Sequence, residues 1–135
     1  AIGAKIANPD KEVIVFVGDG GFQMTNQELA ILNIYKVPIK VVMLNNHSLG
    51  MVRQWQESFY EGRTSESVFD TLPDFQLMAQ AYGIKSYKFD NPETIIRIWK
   101  LSRKTCQCSS RWISLVKSMS CQSFRLVRVI TKCWG

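Results

Sequence analysis

The chain is short of several features that would assign it to a class of protein at once. Only one of its 135 residues is a histidine, and no uninterrupted apolar run is longer than five residues. A membrane-spanning helix needs about 20 apolar residues, so none is expected here. The apolar fraction of 46% is high enough to build a core, which excludes a mainly disordered chain. The length allows one domain at most.

Acidic residues and prolines are absent from the last 35 residues. Residues 1–100 contain 10 Lys and Arg and all 11 acidic residues, whereas residues 101–135 contain 7 basic residues and no acidic one. All four cysteines and seven of the twelve serines also lie in 101–135. The whole excess of the net charge of +6 therefore belongs to this tail, and the composition predicts a boundary near residue 101.

Alternating strands and helices are predicted over the first 100 residues. Apolar, largely β-branched runs at 12–17 and 39–44 are typical of strands buried on both faces of a parallel sheet. A helix is predicted between them at 26–35, because Thr25 and Glu28 have the spacing of a capping box. These elements form a strand–helix–strand unit. The predicted fold class is α/β, a three-layer parallel sheet with helices on both faces.

The remaining elements of this segment follow from turn and cap residues. Helices are predicted at 50–60 and from Asp74 to Gly83, and another begins at Asn91. A weaker strand is predicted at 84–89. The polar stretch between the first two of these helices, 61–71, is predicted to be a surface loop.

A glycine-rich turn follows the first predicted strand. Gly18, Asp19, Gly20 and Gly21 stand where the strand should end and a helix begin. Glycines there let the backbone approach a ligand closely, and amides at a helix start attract phosphate. The spacing does not fit the dinucleotide fingerprint, since residue 23 is glutamine, and no Gly-Lys-Ser/Thr follows as in a P-loop. A diphosphate is the expected ligand.

The carboxylate of Asp19 would repel a diphosphate unless a cation lay between them. A second oxygen donor is expected at the end of the neighbouring strand, where Asn45 and Asn46 stand. The carboxyl ends of adjacent parallel strands meet at one edge of a sheet, so Asp19 and Asn46 are predicted to share one ion. Oxygen ligands of this kind favour Mg²⁺. A lone histidine, His47, does not make a zinc site.

The order and spacing of these residues resemble a known motif. Gly18-Asp19-Gly20, followed after 24 residues by Asn45-Asn46, resembles the GDG…NN motif of thiamin diphosphate enzymes. The words AIGAKIANP, GDGGFQMTNQELA and LNNHSLGMVRQWQESFYEGR are together similar to the catalytic large subunit of acetohydroxyacid synthases, also called acetolactate synthases. The resemblance covers about residues 1–90. It implies that residues 1–100 are part of a thiamin diphosphate- and magnesium-binding domain.

The resemblance implies a role for each residue that matches the family. Three residues would bind Mg²⁺: the side chains of Asp19 and Asn46 and the backbone carbonyl of Ser48. The residues expected to bind the cofactor are Gly18, Gly20, Gly21, Asn46, Ser48, Leu49, Gly50 and Met51. The substrate channel would be lined by Val52 and Trp55, although the pattern alone makes Met51, Val52 and Trp55 an ordinary helix packing face.

The resemblance also implies an activity. With thiamin diphosphate and Mg²⁺, the family decarboxylates pyruvate and joins the product to a second 2-oxo acid, pyruvate or 2-oxobutyrate, to make precursors of branched-chain amino acids. A homodimer with FAD and a small regulatory subunit is expected, in the cytoplasm of bacteria or in a plastid or mitochondrion of eukaryotes. In this family the activating glutamate comes from another domain of the partner subunit. No catalytic residue is therefore expected in this chain, which is predicted to be inactive alone.

Other interpretations stay open at this point. The chain could be a non-catalytic truncated remnant with at most cofactor binding, or part of another thiamin diphosphate-dependent 2-oxo acid decarboxylase. The cysteines of the tail have the wrong spacing for a zinc knuckle, and the tail contains no recognised nucleic-acid-binding module. We expect neither nucleic acid nor membrane as a partner. We interpret residues 101–135 as translated out of frame and expect them to supply neither a last strand nor a segment that closes over the site.

Overall fold

The computed structural model describes residues 1–89 and, for its backbone, a strand at 112–117. The strands are β1 (Ile14–Gly18), β2 (Lys40–Asn45), β3 (Lys85–Phe89) and β4 (Trp112–Lys117). The α-helices are α1 (Ile2–Ala7), α2 (Asp19–Gln23), α3 (Leu29–Ile34), α4 (Gly50–Phe59) and α5 (Phe75–Ala81). A turn of 3₁₀ helix at Asn26–Glu28 precedes α3.

The four strands form one parallel sheet in the order β1-β2-β4-β3. In the β1–β2 pair, Ile14 lies opposite Lys40 and Gly18 lies opposite Leu44, so both strands end at the same edge of the sheet. The parallel sheet with helices that the sequence predicts is confirmed. The bounds of β1, β2 and β3 agree with the predicted strands to within two residues.

The expectation that the tail supplies no further strand is wrong. Residues 112–117 form β4, which pairs in parallel with β2 on one side and with β3 on the other. The segment WISLVK is apolar and β-branched enough to form a strand, but no glycine or proline marks its ends. Its place between two strands that are distant in sequence is set by tertiary pairing, which a local pattern does not reveal.

The core of the described residues lies around β2 and the helices near it. Val42 and Met43 are fully buried, as expected for a strand with a neighbour on each edge. The rings of Phe22 in α2 and Phe75 in α5 meet edge to face, with their centroids 5.7 Å apart. The other members of this apolar cluster are Leu29, Leu32, Val37, Ile39, Val41, Ala79 and Ile84. This packing holds α2 at the end of β1.

The capping box predicted at Thr25 does not form. The Thr25 hydroxyl donates a 3.2 Å hydrogen bond to the Gly21 carbonyl, and the 3₁₀ turn that follows has no side-chain cap. The predicted single helix at 26–35 is instead divided into the 3₁₀ turn and α3. The cause is α2, which ends immediately upstream and whose last carbonyls compete for the hydroxyl.

The prediction that Asp74 begins a helix is confirmed. Its Oδ1 accepts hydrogen bonds from the backbone amides of Gln76 at 2.8 Å and Leu77 at 3.1 Å, and α5 follows. The helix is followed by Gly83 with φ of +68°, a left-handed conformation that suits glycine. The helix predicted from Asn91 lies outside the described residues. Within 1–89 and 112–117, no helix has the length and apolar character needed to cross a membrane.

We expect Asp74→Ala to lower the free energy of unfolding by about 1 kcal/mol, because two amides at the start of α5 lose their acceptor. Asp74→Asn should restore most of the loss, since asparagine caps as well as aspartate. Asp70→Ala is the matched control, because it removes the same charge from an exposed position outside a helix start. Urea denaturation of the three variants measures the effect, and an equal loss in Asp70→Ala would show that charge rather than capping is responsible.

Candidate functional site

Asp19 is the first residue of α2 and follows β1 without a linker. Its side chain is only 1% exposed. The Oδ1 atom accepts a 2.9 Å hydrogen bond from the Gly20 amide, whereas Oδ2 is buried and has no hydrogen-bond partner among the described residues. A buried carboxylate oxygen without a donor is costly, so this position fits a group that brings positive charge to Oδ2.

Two consecutive turns follow β2 at the same edge of the sheet. The Asn45 Oδ1 accepts from the His47 amide and the Asn46 Oδ1 accepts from the Ser48 amide, both at 3.1 Å. His47 has φ of +53°, so the backbone reverses sharply at this residue. Asn46 is exposed, whereas Ser48 is buried. Because Gly18 lies opposite Leu44, the register brings Asp19 and the Asn45-Asn46 turn to one edge, as the sequence predicts.

Close packing at Gly20 joins the two halves of this site. A Cβ atom on Gly20 would lie 2.6 Å from Leu49 Cδ2 and 3.3 Å from the ring of Phe69. Glycine at this position therefore lets Leu49 and Phe69 approach the first turn of α2. At Gly50, a Cβ atom would lie 3.3 Å from Asn46 Nδ2. Gly20 of the first motif half thus lies against Leu49 of the second, and Gly50 lies close to Asn46 within the second half.

The segment after α4 contributes to the site, which the sequence analysis missed. Ser48 and Val68 form an antiparallel bridge; the Leu49 amide donates to the Ser67 carbonyl at 2.8 Å, and the Phe69 amide donates to the His47 carbonyl at 2.9 Å. Ser67 is completely buried. The prediction of a polar surface loop therefore holds for the exposed residues 61–66, but not for Ser67, which is buried, or Phe69, which is half-buried. The local sequence carries no signal of it, because the pairing depends on a distant turn.

The predicted channel residues lie on α4, which is exposed along its length apart from the half-buried Gln56. Met51, Val52 and Trp55 line a groove of about 750 Å³ together with Gln56, Tyr60 and Arg63. Trp55 is 61% exposed and its ring meets Phe59 edge to face at 5.9 Å. The helix packing face that the pattern alone suggested is thus an open apolar surface in the described part of the chain.

The side chains near Asp19 limit which metal ions this site could bind. In residues 1–89 and 112–117, no group of three or more His, Cys, Asp and Glu side chains is close enough to hold a metal ion. A cation at Asp19 would need to complete its shell with amide, carbonyl, water or ligand oxygens. Mg²⁺ binds in this way, through one or two carboxylates together with phosphate oxygens, so the residues present fit it.

Three comparisons with known proteins bear on this geometry. The family model "Thiamine pyrophosphate enzyme, C-terminal TPP binding domain" matches residues 1–107. The acetolactate synthase large subunit of Lactococcus lactis is 75% identical over 95 residues, covering 70% of this chain and 16% of that protein. The acetolactate synthase of Mycobacterium bovis is 43% identical over 112 residues, covering 80% of this chain and 18% of that protein. The chain thus spans about a sixth of the length of these curated relatives.

A solved structure agrees with the fold. The thiamine diphosphate-dependent 4-hydroxybenzoylformate decarboxylase of Rhodococcus jostii superposes with a TM-score of 0.76 at 25% identity, covering 89% of this chain and 22% of that one. The similarity extends beyond the 1–90 that the motifs indicated, since the family model reaches residue 107. That model matches most of the chain, and the chain therefore belongs to the family of thiamine pyrophosphate enzyme C-terminal TPP-binding domains.

Proposed function

We propose that this chain is the cofactor-binding part of an acetolactate synthase large subunit and holds thiamin diphosphate through Mg²⁺. The observation that carries the proposal is the buried Asp19 Oδ2, which has no hydrogen-bond partner in the described part of the chain and lies at the sheet edge of the Asn45-Asn46 turn. A diphosphate with its cation would supply the missing positive charge at this atom. The 75% identity to the Lactococcus lactis protein favours this family member over others.

Different residues of this chain would bind the metal ion and the diphosphate. Asp19 and Asn46 would hold the metal through side-chain oxygens, with Ser48 offering its backbone carbonyl. Gly18, Gly20 and Gly21 would let the diphosphate approach the backbone. The Gly20 amide already donates to Asp19 Oδ1, so a bond from it to phosphate would have to be shared with that carboxylate or replace it.

The turn and helix after β2 would contact the organic part of the cofactor and the substrate. Leu49, Gly50 and Met51 would line the cofactor, and Val52 and Trp55 would line the path of the substrate along the α4 groove. When bound, thiamin diphosphate supplies an electron sink for decarboxylation and carboligation of 2-oxo acids. We propose pyruvate and 2-oxobutyrate as substrates, and FAD, a second large subunit and a small regulatory subunit as partners of the whole enzyme.

A second candidate function is decarboxylation of a 2-oxo acid without carboligation. The structural similarity to the Rhodococcus jostii decarboxylase favours it, because that protein shares the fold of this domain. The identity of 25% to that protein is far below the 75% to an acetolactate synthase. The comparisons therefore favour acetolactate synthase over the decarboxylase. A remnant that binds cofactor without taking part in catalysis is the third candidate, and it predicts a folded chain that forms neither product.

We expect Asp19→Asn to weaken binding of thiamin diphosphate in the presence of Mg²⁺ by more than the 10- to 100-fold that loss of an outer-shell partner typically costs. The unliganded variant should unfold at a temperature no lower than the wild type, because an amide is cheaper to bury than an unpaired carboxylate. Titration calorimetry and thermal unfolding measure the two effects. The control is Asp10→Asn, an exposed aspartate in the α1–β1 connection. Equal binding by wild type and Asp19→Asn would contradict the site assignment.

The chain alone should form no acetolactate from pyruvate with thiamin diphosphate and Mg²⁺, since the proposed activating acid lies outside it. Residues 1–100 grafted in place of the matching segment of the Lactococcus lactis large subunit should restore synthesis, and the same graft carrying Asp19→Asn should not. Product analysis by mass spectrometry distinguishes the candidates. Acetaldehyde without acetolactate would favour the decarboxylase, and a folded graft without either product would favour the remnant.

A further inference from the structure

Gln56 is the one residue of α4 that is not exposed. The rest of the helix is exposed, whereas Gln56 is half-buried and its side-chain amide turns to the segment that follows the helix. Its Nε2 donates to the Ser65 carbonyl at 3.0 Å, and its Oε1 accepts from the Ser65 amide at 3.4 Å. The Ser67 hydroxyl donates to the same Oε1. The side-chain amide of Gln56 thus bonds to both the amide and the carbonyl of Ser65 and also to the buried Ser67 hydroxyl.

The segment held by Gln56 has a conformation that needs support. Between Ser65 and Ser67 lies Glu66, whose φ of +52° is in the left-handed region that glycine prefers. A non-glycine residue is disfavoured there, because its Cβ atom lies too close to the following carbonyl oxygen. Glu66 is exposed, and its two neighbours are the residues that bond to Gln56. The Gln56 hydrogen bonds therefore hold the chain on both sides of its strained residue.

The segment is connected directly to the proposed cofactor site. The Ser67 carbonyl accepts from the Leu49 amide at 2.8 Å, and Leu49 Cδ2 is the atom that a Cβ on Gly20 would meet at 2.6 Å. Phe69, two residues further, bonds to the His47 carbonyl and packs its ring against Gly20. A continuous path of contacts thus runs from Gln56 through Ser67 and Leu49 to the residue next to Asp19.

We propose that Gln56 is a positioning residue of the cofactor site. Its side-chain amide holds Ser65 and Ser67, and through them it fixes the turn 46–49 against Asp19 and Gly20. This inference rests on the proposed function, because it concerns the geometry of the same metal and diphosphate site. Gln56 also lines the α4 groove, but the role assigned here depends on its hydrogen bonds and not on contact with a ligand.

The test compares Gln56→Met with Gln54→Met in the 135-residue chain. Methionine has nearly the length of glutamine and lacks the amide, so the first variant removes the three hydrogen bonds with little change in shape. Gln54 is the matched control, since it lies on the same helix and is exposed. We expect Gln56→Met to weaken binding of thiamin diphosphate at saturating Mg²⁺ by about 10-fold, the scale of an outer-shell loss, and Gln54→Met to leave it unchanged.

A second readout separates local positioning from general loss of stability. Trypsin should cleave after Arg63, next to the held segment, several-fold faster in Gln56→Met, while cleavage after the exposed Lys36 keeps its wild-type rate. A variant that is merely less stable would be cleaved faster at both positions. Ser67→Ala should affect binding in the same direction, and the double variant should bind within about two-fold of Gln56→Met alone, since both changes break one connection.

The outcomes distinguish this inference from the proposed function. If the wild type binds Mg²⁺ and thiamin diphosphate and Gln56→Met binds them equally well, the inference is wrong and the proposed function stands. Faster cleavage at both Arg63 and Lys36, or independent multiplicative losses from Gln56→Met and Ser67→Ala, would also overturn it. If the wild type binds no cofactor while Asp19→Asn behaves identically, the proposed function itself fails.

Discussion

The buried carboxylate of Asp19 is the constraint on which the site depends. One oxygen is satisfied by the next amide in the chain, and the other is enclosed without a donor in the part of the molecule that the structure describes. A charged group in this state is unfavourable for folding by itself, because it gives up hydration and gains only one hydrogen bond. A cation bound at this oxygen, as proposed, would offset the cost, and the surrounding residues would bring further oxygens to it.

The parallel register supplies the first of these means. Gly18 of β1 lies opposite Leu44 of β2, so the residues that follow each strand emerge side by side although they are far apart in sequence. Glycine supplies the second, since Gly20 and Gly50 leave the space into which Leu49 and the Asn46 side chain fit. The third is the bridge between Ser48 and Val68, which ties the turn after β2 to a segment beyond α4. Together the three features bring oxygen donors that are distant in sequence to one edge of the sheet.

Sequence patterns predicted the parts of this arrangement that local chemistry determines. Asp74 caps α5 with its own side chain, and Asp19 and Asn46 follow apolar strands whose direction the fold class dictates. The sequence did not reveal the burial of Ser67, because the polar segment around it has the composition of a solvated loop. Its burial arises from contacts with the turn 47–49 and with Gln56. Thr25 shows the reverse error: its spacing suits a cap, but its hydroxyl donates instead to the carbonyl of Gly21 within α2. A turn distant in sequence decided the first case, and a competing acceptor four residues upstream decided the second.

The same distinction applies to the basic tail. The charge boundary near residue 101 is real as composition, but β4 lies beyond it and separates β2 from β3 in the sheet. Without residues 112–117, β2 would lose one of its two neighbours, and β3 would have no partner among the described strands. A central strand requires only a short β-prone run, and WISLVK meets that requirement whatever the origin of the surrounding residues. The reading frame of the tail is therefore a question separate from its place in the sheet, and a change of composition along a chain does not by itself mark where a fold ends.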